Sequence, residues 1–424
     1  MTPSPGGPTS IEADEPGTEL ARGIAQTALA FRGYDVSNFG RSLELLEHPT
    51  YGPTIRSVLE EASAICAEAI HAPVDLVAHL RAQAPTDLAT FPHDVAMIVA
   101  MEVAQVRLLE EFFGVPIRQA HHSFGYSIGE LSALVVGETF PMDQILSVPL
   151  SLAIDCASLA PDTTMGILFT RGQAILRPED VERLCLAVSS EGHGLIGPSA
   201  YLSPNTALVL GQGETLDRLE RLMHDFLPEK VMLRRKPNHW PPLHTPLVWL
   251  RNIPNRTAIA AYKIRGGDRE PTPTVISCVT GEASYVPPYC RDLLIRWTDH
   301  PQRLWDAIDA TLASGVETVI HIGPTPNLIP ATFSRLANNV SRQLGNGNKY
   351  INMISRGVVE GMNRLGWLAR LLPHKTSLLR APYLKNIILE DWLLEQPVAR
   401  PATAVAIPSE MGTDVAPSDG TIGG

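Results

Sequence analysis

Gly125-Tyr126-Ser127-Ile128-Gly129 is a G-x-S-x-G pattern, in which a serine hydroxyl is held up on a sharp turn between a strand and a helix. Glycines two positions to either side let the backbone pass closely. The N-terminus of the following helix aims backbone N–H groups at a carbonyl oxygen on which negative charge develops. A serine hydroxyl is a weak nucleophile and needs a base. The chain has 13 histidines. His121 and His122 adjoin the turn, but strand alternation sends them to opposite sides, and core or surface positions suit both. His244 stands between prolines in Pro242-Leu243-His244-Thr245-Pro246-Leu247. Spacing alone does not separate it from His239, His321 or His193. His239 and His244 are five residues apart without the H-E-x-x-H pattern, so no metal ligands are assigned. GQGETL and GNGN lack the phosphate-loop pattern and read as turns.

Around the serine, the chain alternates strands and helices. Residues 94–113, DVAMIVAMEVAQVRLLEEFF, read as a long apolar helix closed by Gly114. IRQAHHSF then supplies a short strand-like run, and ELSAL begins a helix. Strand, turn and helix in this order predict an α/β fold with a parallel sheet. Between Met165 and Lys236 the order becomes β-α-β-β-α-β, a ferredoxin-like unit inserted into the larger domain. The expected organisation is a large α/β domain over 21–164 and 239–340, an insert over 165–238, and a helical extension over 341–397. Residues 1–20 and 398–424, rich in Pro, Gly, Ser and Thr, are expected to be disordered.

The 424 residues carry 34 basic and 45 acidic side chains, a net charge of −11, which argues against a nucleic-acid partner. Five scattered cysteines without a C-x-x-C pair exclude a disulfide framework and fit a reducing, cytoplasmic setting. No signal peptide is recognisable, and the most apolar run, Val95–Val103, falls far short of the roughly 20 residues of a membrane span. The extension over 341–397 holds eight Lys/Arg against four Asp/Glu. Its segment NRLGWLARLLPHKTSLLRAPYL has helical amphipathicity, which suits packing on the body or, as a sharper alternative, contact with a membrane surface. Arg234-Arg235-Lys236 reads as a solvated strand end, or as a landing site for an acidic partner or phosphate groups.

GYSIGELSAL resembles the GHSxGE-x-SAL elbow of malonyl-CoA:acyl carrier protein transacylases and polyketide synthase acyltransferase domains. PPLHTPLV resembles their PxHSPLM segment, Phe31-Arg32-Gly33 the start of F-P-G-Q-G-S-Q, SCVTG their S-N-V-T-G, and HIGPTPNLIP their E-x-GPGxxL. The matches are collinear over about residues 25–340. The resemblance implies the acyltransferase fold, a large α/β hydrolase-like domain with a small ferredoxin-like insert. It makes Ser127 the nucleophile and His244 its base. It places the carbonyl that orients the histidine at Trp297, one oxyanion donor at Ile128, and the oxyanion-side residue at Tyr34. The implied reaction moves an acyl group from CoA to the phosphopantetheine thiol of an acyl carrier protein, in fatty-acid or polyketide-type biosynthesis, with no permanently bound cofactor.

Three departures stand out. Tyr126 replaces the histidine before the nucleophile. Tyr34 replaces a glutamine. The arginine that holds the malonyl carboxylate falls near Ser151, and no arginine or lysine lies between Ser127 and Arg171. A buried carboxylate without its partner costs about 3–5 kcal/mol. Either the acyl group is not malonyl, or another cation such as Arg32 takes the role. The competing functions are a thioesterase on the same scaffold and a non-catalytic scaffold that binds carrier protein. An α/β-hydrolase esterase is disfavoured, because no HGGG-like loop is present and the insert fills the interval.

Overall fold

A computed structural model describes residues 16–170, 174–345 and 377–397. The chain enters through helix α1 (Pro16–Gly23) and then β1 (Thr27–Phe31), whose residues TALAF are all buried. A strand apolar on both faces belongs in a parallel sheet covered on each side. Helices α2 (Ser42–Glu47), α3 (Gly52–Ile70), α4 (Leu76–Ala82) and α5 (Phe91–Phe113) precede β2 (His122–Gly125). Helix α5 is buried along most of its length and ends at Gly114. Helices α6 (Ile128–Val136) and α7 (Met142–Leu159) follow the turn that carries Ser127. The core lies where α5 and α7 pack on α3 and where α5 meets α6.

The segment β3 (Thr163–Thr170), α8 (Pro178–Ser190), β4 (Ile196–Ser203), β5 (Thr206–Gln212), α9 (Thr215–Phe226) and β6 (Val231–Lys236) builds a separate sheet. Its strand order is β4-β5-β3-β6, all antiparallel. One face of that sheet, with Leu168, Ala207 and Val209, packs under α8 and α9 around Leu184, Val188 and Leu219. This is the ferredoxin-like arrangement anticipated from the order of elements.

The chain then returns through α10 (Ile253–Ala261), β7 (Val275–Ile276), α11 (Cys290–Arg296), α12 (Leu304–Ser314), β8 (Thr318–Ile322) and α13 (Leu328–Gly345). It closes with β9 (Lys385–Ile388) and α14 (Leu389–Glu395). The main sheet has five strands in the order β7-β2-β1-β8-β9, and every pairing is parallel. The fold class is therefore α/β with a parallel sheet and a small antiparallel sheet inserted between α7 and α10.

Two details differ from expectation, and a third agrees with packing of the extension on the body. Residues 16–20 belong to α1 rather than to a disordered end, with Leu20 buried in the core. The extension is not helical throughout: β-branched Ile387 and Ile388 join β9, which extends the main sheet beside β8. Arg380 is buried and donates to the carbonyls of Leu312 and Val316 at 2.7 Å each, so it closes the end of α12 rather than facing a membrane. Residues 1–15, 398–424 and most of the basic amphipathic segment lie outside the described residues. One described segment, Met142–Asp162, is long and apolar enough by composition to cross a membrane; half of it is buried inside the fold.

Candidate active site

Strand β2 stops at Gly125, and Ser127 turns the chain into α6 with φ 55° and ψ −117°. A non-glycine residue at positive φ is strained and persists only where its surroundings impose it. The glycines explain the imposition. A Cβ on Gly125 would lie 2.0 Å from the Gly129 carbonyl carbon, and one on Gly129 would lie 2.2 Å from the Arg32 carbonyl oxygen. Strand β2, the first turn of α6 and the end of β1 are thus in contact through backbone alone. Glu130 pins the same turn from the other side. It is fully buried and accepts from Ser277 Oγ at 2.6 Å, Tyr285 OH at 2.7 Å and the Cys278 N–H at 3.0 Å.

His244 also has positive φ, 64°. Its N–H donates to the Thr298 carbonyl at 2.7 Å, and its Nδ1 lies 2.6 Å from the Trp297 carbonyl. A carbonyl only accepts, so Nδ1 carries the proton and Nε2 is left as an acceptor. Ser127 Oγ stands 2.7 Å from that Nε2 and donates to it. Burial pushes the His244 pKa down to about 4, partly opposed by the Trp297 carbonyl. The imidazole is neutral near pH 7, the state a general base requires.

Trp297 serves twice. Beyond its carbonyl, its indole Nε1 donates to the Ser127 carbonyl at 2.9 Å. Gln302, fully buried, accepts from the Ser127 N–H at 3.1 Å. Its own main chain bonds to the inserted unit, with its N–H on Ser199 and its carbonyl on Tyr201, both at 2.8 Å. The first N–H of α6, on Ile128, has no intrahelical acceptor, and neither it nor the Tyr34 N–H finds an acceptor among the described residues.

Ser127 and His244 line a cavity of about 620 Å³ between the large domain and the open face of the small sheet. Its walls are mainly apolar, with Val95, Leu152, Ile167, Leu208 and Trp240 among them. Tyr34 is part of the wall, edge-on to Phe91 at 5.0 Å and to Trp240 at 5.6 Å. Arg234, Lys236 and Arg335 border the cavity and are exposed. Among the described residues, no cluster of His, Cys, Asp and Glu could hold a metal ion.

No family model and no curated protein sequence matches the chain. Solved structures do. Malonyl transacylase from Streptococcus pneumoniae superposes with a TM-score of 0.56 at 19% identity, covering 72% of this chain and 91% of that one. An acyl carrier protein S-malonyltransferase from Vibrio cholerae gives 0.55 at 22% identity, over 72% and 92%. A malonyl-transacylase solved in complex with its type II polyketide acyl carrier protein gives 0.54 at 19%, over 72% and 91%. The fold is that of the malonyl-CoA:acyl carrier protein transacylases.

Within this transacylase fold, the residues expected at the site are placed unequally. Ser127, His244, Tyr126, Ile128, Tyr34 and Trp297 all line the cavity. Arg32 does not, and its proposed role as a substitute cation fails. It is fully buried, with Nε on the Gly33 carbonyl (2.7 Å), Nη1 on the Pro324 carbonyl (2.6 Å) and Nη2 on Asn38 Oδ1 (2.7 Å). Its donors clasp two loops together and are closed to a substrate. Ser151 also misses: it is exposed on the outer face of α7, bonded back to the Val148 carbonyl at 2.8 Å. Pro149, Leu152 and Cys156 face the cavity instead, spaced as one side of a helix requires. Of the other histidines, His122 bonds Thr311, His239 the Thr163 carbonyl and His321 Asn386. None of the three lines the cavity. Gln302 and the Trp297 indole escape sequence reasoning, because a glutamine after a proline carries no local mark of a partner 175 residues away.

Proposed function

We propose that the protein is an acyltransferase that carries an acyl group from a CoA thioester to the phosphopantetheine thiol of an acyl carrier protein through an ester on Ser127. The observation that supports this reading most is the 2.7 Å contact between Ser127 Oγ and a neutral His244 Nε2, 117 residues apart in sequence, at the wall of a ligand-sized cavity.

In the first half-reaction, Ser127 Oγ attacks the thioester carbonyl as its proton passes to His244 Nε2. The tetrahedral oxyanion faces the N–H of Ile128 at the start of α6, where the helix dipole favours negative charge, and the N–H of Tyr34 in the loop after β1. Collapse breaks the C–S bond, and the departing CoA sulfur takes the proton from His244. In the second half, the carrier thiol gives its proton to His244 and attacks the acyl-serine carbonyl. Ser127 leaves as the alkoxide and is reprotonated by His244. No resident cofactor enters the cycle. The exposed Arg234, Lys236 and Arg335 offer positive charge to the CoA and phosphopantetheine phosphates. The fold it shares with a transacylase solved with its carrier protein supports the choice of acceptor.

Intact-mass spectrometry after incubation with acyl-CoA tests the proposal. The wild-type chain gains one acyl mass, Ser127→Ala gains none, and addition of holo carrier protein moves the mass to the carrier. Release of free acid instead identifies a thioesterase, and loading of the Ser127→Ala variant overturns the nucleophile assignment.

A further inference from the structure

We infer that the acyl group handled by this site is an uncharged alkyl chain of medium length rather than malonyl, and that it lies along the open face of the small sheet. The inference rests on the acyl-serine reading above and names its cargo. Strand β3 runs antiparallel to β5 with Met165 opposite Leu210 and Ile167 opposite Leu208. Side chains opposite one another share a face, so these four, with Phe169 two residues on, form one apolar surface. The alternate residues, Leu168 and Val209, turn away to α8 and α9. Met165, Ile167, Phe169 and Leu208 remain only half-buried and Leu210 is buried, so among the described residues no element packs fully over this face. It belongs to the same cavity as Ser127 and His244, so a chain esterified to Ser127 has this surface within its own enclosure. On the facing wall, α7 presents Leu152 and Cys156, both buried.

Charge points the same way. Among the described residues, every arginine and lysine that borders the cavity is exposed, and the half-buried acidic side chain in its wall is Asp35, which offers a carboxylate no counter-ion. A malonyl carboxylate would be desolvated here with no buried counter-ion among the described residues, which weakens its transition state by about a hundred-fold or more. Each methylene of an alkyl chain that leaves water for the apolar face gains about four-fold in affinity. The volume of about 620 Å³ falls within the range of sites that enclose whole small ligands.

The test is acylation of the full-length chain by a panel of CoA thioesters (acetyl, butyryl, hexanoyl, octanoyl, decanoyl and malonyl), followed by intact mass at early times. Hexanoyl to decanoyl loading at least about ten-fold faster than malonyl supports the inference. Malonyl loading as fast as octanoyl overturns it while leaving the acyltransferase reading intact. A folded chain that accepts no member of the panel at Ser127 overturns both. Ile167→Trp, which narrows the space over β3, shifts the chain-length optimum to shorter chains; an optimum that does not move overturns the placement along the sheet. Leu152→Arg, which puts a cation on the facing wall, raises the malonyl-to-octanoyl ratio, and an unchanged ratio contradicts the electrostatic argument.

Discussion

At the scale of single residues, the proposed chemistry depends on a histidine kept neutral by its surroundings. With burial holding His244 at about 4, acylation is expected to be flat from near-neutral pH down to about pH 5. Below that the rate falls along one acid limb with a midpoint near 4, because protonated Nε2 accepts no proton from Ser127. Rapid-quench acylation of the wild-type chain across pH 4–8 measures this; a midpoint at the ordinary histidine value of about 6.5 contradicts it. Ser127 was legible from its glycine-framed turn, whereas His244 was singled out only by the resemblance of its segment, since spacing alone did not separate it from His239, His321 or His193. Ser151, taken as the clamp position, lies outside the cavity, whereas its neighbour Leu152, about 100° around α7, lines it; a collinear motif match carries no helical phase. Arg32 misled for another reason. Composition reports that a cation is near the site, not that neighbouring carbonyls have already claimed its N–H groups.

At the scale of elements, β9 and α14 complete the main sheet from a distant part of the chain. Glu390, fully buried at the start of α14, accepts the Arg41 N–H at 2.9 Å and the Thr325 N–H at 2.8 Å. The loop after β1 and the loop after β8 are both held by that one carboxylate. Glu390→Ala strands two part-buried backbone donors, at up to about 1–3 kcal/mol each. A lowered urea midpoint with an unchanged slope is expected; a midpoint within error of wild type refutes the anchoring role. This closing strand was not readable beforehand. Lys385–Ile388 is four residues long, follows a stretch with helical spacing, and becomes a strand only by pairing with β8. The long apolar helix over 94–113 and the β-α-β-β-α-β order were readable, since their patterns lie within one stretch of sequence.

For the molecule as a whole, several buried ionisable groups oppose one another. Burial lowers His122 to about 3, and in the folded chain the ring stays neutral with Nε2 on Thr311 Oγ1 at 3.0 Å. Unfolded, the same ring titrates near 6.5. Between those values the unfolded chain binds the extra proton, so the stability contributed by a neutral His122 is complete above about pH 6.5 and declines as pH falls. Buried Glu130, raised to about 7, acts in the opposite sense over the neighbouring range. The difference between wild type and His122→Asn isolates the histidine: the gap in unfolding free energy narrows from pH 7.5 to pH 5, and a constant gap refutes the linkage. One structural junction also bears on how such a protein can be re-engineered. Gln302 pairs its main chain with the edge of the inserted unit while its amide holds the backbone of the reactive serine. A chimera that swaps the insert for a relative's, to import a different cargo preference, would sever that stitch unless the Trp297–Gln302 loop travels with it. On the proposed reading, selectivity and reactivity are inherited here as one block.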